Sequence, residues 1–220
     1  MSGKNFKTQT AKTQEGITPQ IAQELLQKGN ERFLTGKRLG RDFSEQIAQT
    51  ATGQYPFAIV LSCIDSRIPT EIVFDQGIGD IFNARIAGNF VNEDILGSME
   101  FACKLAGAKL IVVMGHTNCG AVKGACDAAE LGNLTQMLDK IKPAVEATPT
   151  APEEVRSSAN ADFVNRVAVK NVELTIENIK AQSSVLRDLY EQGTIDIVPA
   201  MYDVASGKVD FLNNKQTELA

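Results

Sequence analysis

The chain has 220 residues, 43% of them apolar, enough to bury one substantial core. A formal net charge of −5 and an isoelectric point near 5.1 exclude a nucleic acid or an anionic membrane surface as the main partner. No apolar stretch reaches the ~18 residues of a membrane span, and Met1-Ser2-Gly3-Lys4-Asn5-Phe6 lacks the apolar segment of a signal peptide, which places the chain in the cytoplasm as written, or in the periplasm if an export leader was removed.

Residues 1–16 are polar, rich in Thr, Gln and Lys, and read as a flexible arm ahead of one domain over 17–220. Thr18-Pro19 predicts a helix start, Thr as the cap and Pro in the first turn. Ile21, Leu25, Leu26 and Phe33 follow at helical spacing, and Gly36 is the stop. A short helix over 44–52 leads to Gly53-Gln54-Tyr55-Pro56. Residues 57–62 read as a strand buried on both faces, 81–85 as a second and 109–114 as a third. A helix over 95–106, ended by Gly107, separates the last two. Helices are expected over 120–130 and 134–147, then a polar link punctuated by Pro143, Pro149 and Pro152. A long helix over 163–181 and another from Ser183 or Ser184 to Gly193 lead to a strand over 195–202, with 208–212 pairing across Ser206-Gly207. Strands alternating with helices predict an α/β fold: a central, mostly parallel sheet flanked by helices, with an N-terminal helical arm. In such sheets, sites form beyond the carboxyl ends of the strands.

Four cysteines are present, Cys63, Cys103, Cys119 and Cys126. A core of this size needs no disulfide staples, so the thiols are read as free. Cys103 and Cys126 fit core positions in helices. Cys63 opens the run Cys63-Ile64-Asp65-Ser66-Arg67 after one strand. His116, the only histidine, opens His116-Thr117-Asn118-Cys119-Gly120 after another. Two thiolates and an imidazole fill three of the four positions of a tetrahedral zinc site, and water in the fourth makes such a site catalytic. Cys119 near a helix N-terminus favours the thiolate. Each residue alone is more often structural, and by spacing alone metal binding and a plain core role stand about level. A thiol nucleophile, Cys119 with His116, is the rival chemistry. Alternation on an extended segment would turn Cys63, Asp65 and Arg67 to one side. An Asp beside an Arg stays ionised and could orient a water or ligate a metal itself.

The two runs together resemble the β-class carbonic anhydrases, which carry Cys-x-Asp-x-Arg and, some fifty residues on, His-x-x-Cys-Gly. The resemblance extends over 18–212 through Gly29-Asn30-Glu31-Arg32-Phe33, Gly53-Gln54-Tyr55-Pro56, Gly79-Asp80-Ile81-Phe82, Arg85-Ile86-Ala87-Gly88-Asn89 and Tyr202-Asp203-Val204. It implies one zinc ion per chain on Cys63, His116 and Cys119, and Asp65 with Arg67 as the catalytic dyad. It implies that Gln54, Phe82 and Ala87 hold substrate, that Phe101 stands where plant-type members often have Tyr, and that the Gly120 backbone lies near the site. The implied activity is reversible hydration of carbon dioxide to bicarbonate and a proton. Hydrolysis of carbonyl sulfide or carbon disulfide on the same scaffold, and a non-catalytic zinc-bound assembly module, are the alternatives. The implied assembly is a homodimer or dimer of dimers, with the pocket at the dimer interface. The Trp that one subgroup uses for inhibitory bicarbonate binding is replaced by Val60, which implies that this regulatory site is absent.

Overall fold

A computed structural model describes residues 7–212. Helices α1 (Ala11–Glu15), α2 (Pro19–Leu34) and α3 (Phe43–Thr50) precede strand β1 (Ala58–Ser62). Then come α4 (Thr70–Val73), β2 (Ile81–Arg85), α5 (Glu93–Glu100) and β3 (Leu110–His116). The remainder is α6 (Gly120–Cys126), α7 (Gly132–Leu138), α8 (Lys142–Ala147), α9 (Ala161–Gln182), α10 (Ser184–Glu191), β4 (Asp196–Tyr202) and β5 (Val209–Phe211).

The sheet order is β2-β1-β3-β4-β5, parallel except for the β4–β5 pair. Every residue of β1 and β3 is buried, as unbroken apolar runs in a parallel sheet require. Alternation sends Ala58 and Val60 to one face, packed with Leu26, Val73 and Phe74. It sends Ile59 and Leu61 to the other, packed with Met99, Val172, Ile179 and Leu186. A third cluster, built on Cys63, Cys119, Ile141 and Phe163, closes the sheet's carboxyl edge. The capping residues expected at Thr18 and Ser183 accept hydrogen bonds from Ile21 N and Leu186 N. No helix among the described residues is long and apolar enough to cross a membrane.

Several local expectations need correction. Of the arm expected to be flexible over 1–16, residues 1–6 lie outside the described residues, as do 213–220 at the other end. Within the rest, α1 is anchored rather than loose. Thr10 caps it, and Gln14 Nε2 donates to the carbonyls of Pro56 and Ala106, both at 2.8 Å. The helix expected over 95–106 is α-helical only to Glu100, and a π-helical turn, Phe101–Leu105, completes it. The stretch 134–147 is two helices, because Pro143 lacks the N–H that would continue one ladder and takes the first turn of α8 instead. The helix expected over 120–130 stops at Cys126. Helix α4 carries no sequence signal, being a single turn with no periodicity to read.

Candidate metal centre

Strand order brings the site together. From β1 the chain crosses to β2 on one side and later returns to β3 on the other, so a topological switch point lies between β1 and β3. Cys63 follows the last residue of β1, and His116 ends β3 directly beside it. Asn118 has a φ of +57°, in the left-handed region that Asn tolerates better than most residues. That bend turns the chain from the end of β3 so that Cys119, the N-cap of α6, returns to the same point. One ligand atom each of Cys63, His116 and Cys119 lies within 4.8 Å of the others. All three residues are buried.

Neighbouring groups set the state of each. His116 Nδ1 donates to the carbonyl of Thr117 at 2.9 Å; a carbonyl only accepts, so a proton is on Nδ1, and Nε2 is the nitrogen left for a ligand role. Nε2 is buried without a partner. A buried imidazole nitrogen left bare between two thiols has the chemistry of a metal ligand, with the second nitrogen held as metal-site histidines commonly are. The two sulfurs are 4.0 Å apart and not bonded to one another. The hydrogen bond from Cys119 above all, with neighbouring His116 and the Gly88 N–H at 3.4 Å, lowers the Cys63 thiol pKa against its burial. The same contact with Cys63, together with burial, raises that of Cys119. Two adjacent buried thiols cannot both ionise unaided; a cation between them removes the conflict. The donor set therefore fits a thiophilic divalent ion.

Beyond Ser62 the chain does not stay extended, which corrects the alternation argument: it turns at Ser66-Arg67. The turn folds Arg67 back on Asp65, with Nε to Oδ1 at 2.9 Å, Nη2 to Oδ2 at 2.7 Å and the backbone N–H to Oδ1 at 3.0 Å. The Arg67 side chain thus holds the Asp65 carboxyl well below the usual carboxylate range. The carboxylate faces Arg67 and stands outside the three-residue ligand cluster. Tyr202 donates from its hydroxyl to the Arg67 carbonyl at 3.3 Å, tying the turn to β4.

Ala87 is half-buried beside Gly88, and Gly120 is the first residue of α6, so both lie at this end of the sheet. Three other expected pocket residues are not brought there within the chain. Gln54 precedes β1, at the opposite end of a strand roughly 17 Å long. Phe82 lies on the edge strand opposite Ile59, and its ring meets that of Phe101 edge-on at 6.2 Å. These rings line a groove of 590 Å³ with Glu93, Asp94 and Ser98 on the open side of β2.

Support residues complete the site, and of these Asn171 alone lies outside the runs singled out in the sequence. Asn171 of α9 donates to the Gly88 carbonyl at 2.8 Å. The Thr117 hydroxyl donates to Asp203 at 3.0 Å and accepts from Val204 N at 3.1 Å, locking the residue whose carbonyl holds His116.

Fold and site together define an α/β protein with a buried Cys–His–Cys cluster that could hold a metal ion at the switch point of a mostly parallel sheet. Residues 58–209 match the family profile described as carbonic anhydrase. The chain is 33% identical over 199 residues to carbonic anhydrase 2 of Mycobacterium tuberculosis (strain CDC 1551 / Oshkosh), covering 86% of this chain and 91% of that protein. It is 32% identical over 199 residues to the carbonic anhydrase of Mycolicibacterium smegmatis, covering 88% and 93%. The structure resembles the β-carbonic anhydrase CafA of Aspergillus fumigatus with a TM-score of 0.66 and 27% identity, over 77% of this chain and 81% of that one. The chain belongs to the β-class carbonic anhydrases. It is an enzyme of that class, catalysing the reversible hydration of carbon dioxide to bicarbonate and a proton.

Proposed function

We propose that the ion is zinc, one per chain, held by Cys63 Sγ, His116 Nε2 and Cys119 Sγ, and that Asp65 and Arg67 act on the substrates beside it. The bare, buried His116 Nε2 facing two thiols carries this reading. Bound zinc supplies the Lewis acidity that makes water a nucleophile near neutral pH. Asp65, ionised by its clamp to Arg67, accepts the hydrogen bond of the attacking water and leaves a lone pair aimed at the carbon of carbon dioxide. Arg67 keeps that carboxylate from swinging away. Ala87 offers an apolar wall suited to a linear, nonpolar molecule.

Gln54, Phe82 and Phe101 enter the pocket of a second copy. Strand β2 is an open edge, and Phe43, Ile72 and Phe101 are exposed, which suits burial against a partner in a homodimer or dimer of dimers. Residues 17–220 act as one catalytic unit. His116 is the only imidazole in the chain. With it bound to the ion, the product proton must leave through water, buffer or a carboxylate, and the rate should rise with buffer concentration. Two thiolates neutralise the ion, so water there is less acidic than at an all-imidazole site, and hydration should climb with pH above neutral. Metal analysis alongside carbon dioxide hydration from pH 6 to 9 tests this reading. About one zinc per chain and a rising profile support it; a metal-free active protein, or a flat profile, refutes it.

A further inference from the structure

Residues 63–67 carry both a metal ligand and the dyad carboxylate, yet they lie beyond the β ladder. The last rung is Ile86 N–H donating to the Ser62 carbonyl at 3.1 Å. Past it, β1 and β2 diverge, and the carbonyls of Cys63 and Asp65 need other donors. Both find them on one side chain. Arg85 Nε donates to the Cys63 carbonyl at 3.0 Å, and Nη2 donates to the Asp65 carbonyl at 2.7 Å. Asp65 O also accepts from Ile68 N at 3.1 Å, which closes the turn.

We infer that Arg85 is a positioning residue for this reaction: its guanidinium spans the two carbonyls and so sets where the Asp65 carboxylate stands relative to the Cys63 sulfur. The inference rests on the zinc and dyad roles proposed above. A guanidinium is a rigid planar fork, and bonds from two of its nitrogens to carbonyls two residues apart fix the intervening backbone as a flexible ammonium cannot. The grip of Arg67 on Asp65 cannot do this. Arg67 and Asp65 belong to the same turn, and apart from the long 3.3 Å bond from the Tyr202 hydroxyl to the Arg67 carbonyl they can shift together. Arg85 comes from β2 and ties the turn to the sheet. Three residues on, Gly88 N–H reaches the Cys63 sulfur, so the chain leaving β2 holds Cys63 at both its carbonyl and its thiol. The residue is exposed, so no core packing depends on it.

The test uses Arg85→Ala and Arg85→Lys, each in the parent and in an Asp65→Ala background. Zinc affinity is read by chelator competition, and kcat for hydration is read across pH at saturating zinc. Arg85→Ala should weaken zinc about 10-fold, the lower end of what loss of a group supporting a metal ligand costs, and lower kcat about 10- to 100-fold. Arg85→Lys, able to engage one carbonyl at a time, should recover only part of either loss. In the Asp65→Ala background the kcat loss should shrink to within about twofold while the zinc loss persists. An equal kcat loss in both backgrounds, or unchanged zinc affinity and kcat in Arg85→Ala, overturns the assignment. If Asp65→Ala alone keeps parental kcat, the dyad reading fails separately, and zinc affinity then decides whether Arg85 positions Cys63.

Discussion

Replacing Gly88 with alanine should strike the fold and the metal centre at once. Gly88 is buried with φ at +81°, in the left-handed region that a side chain makes costly. For alanine that conformation costs about 1–2 kcal/mol. A Cβ there would also lie 2.3 Å from Ile141 Cδ1 and 3.2 Å from Ile141 Cγ1. Ile141 is fully buried at 0% exposure and has no solvent to swing into. Overpacking of this kind costs about 1–3 kcal/mol, so the two effects together reach about 2–5 kcal/mol. That is a large share of the ~5–15 kcal/mol by which domains are stable. The same residue donates to the Cys63 sulfur at 3.4 Å and accepts from Asn171 at 2.8 Å, so the shift that relieves the clash must displace a ligand. Urea unfolding of the zinc-loaded protein at fixed concentration measures the loss, and chelator competition measures the weakened metal. Ile141→Val, which removes Cδ1, separates the two causes. Alone it should cost about 0.5–1.5 kcal/mol; in Gly88→Ala it should instead recover most of the overpacking cost. A Gly88→Ala protein within about 0.5 kcal/mol of the parent, or an Ile141→Val effect equal in both backgrounds, would refute the reasoning.

Asp65→Ala should lower carbon dioxide hydration by about 10²–10⁴-fold, the usual range for a positioned acid–base group, with zinc content unchanged by metal analysis; loss of zinc in step with activity would make the residue structural instead. Asp75 gives the acid limb of stability. Burial pushes its carboxyl up, but Arg32 at 2.5 Å, Arg41 at 2.6 Å and the Leu39 N–H at 3.2 Å outweigh it and leave the pKa lowered. Because the folded pKa is depressed, this stabilisation is present above the unfolded pKa of ~3.9 and is lost as pH falls through the folded value. Arg41→Ala should raise the acid-unfolding midpoint, followed by circular dichroism, and cost about 1–3 kcal/mol at pH 7; an unmoved midpoint would show that Arg32 alone suffices. Burial pushes the thiols of Cys103 up to about 12 and Cys126 up to about 11. Mass spectrometry after iodoacetamide at pH 7.5 should therefore find both unlabelled, with or without zinc, and rapid labelling of either would contradict that environment. Removing zinc should lower the unfolding temperature, since an ion that binds only the folded state stabilises it by an amount that grows with the logarithm of free ion over its dissociation constant; equal melting of loaded and chelated protein would show that the ion does not bind the folded state preferentially.

What is local in this protein is legible in its sequence. A run such as Ile111-Val112-Val113-Met114 has no polar face, so it can only be buried on both sides, and β3 is. Thr18 and Ser183 carry the hydroxyls that their helix starts need. The ligand chemistry is legible too, because thiol, imidazole and carboxylate declare their reactions by residue type, and the joint pattern of two motifs matches a family. Helix α4 and the π-helical turn at Phe101–Leu105 are not legible, since one turn has no period and a π register depends on what the helix packs against.

The sequence by itself determined which residues could hold an ion and where the five strands and the longer helices would lie. Tertiary structure alone decided that Cys63, at the end of β1, stands beside His116, at the end of β3, because that depends on the order of strands in the sheet. It also decided that Gln54, Phe82 and Phe101 lie apart from the cluster that their own chain builds, and that Arg85, Gly88, Asn171 and Asp203 support it. Propensity and hydrophobic period act between residues a few positions apart. Ligation and its support act between residues on different elements, brought together only when the whole sheet is buried.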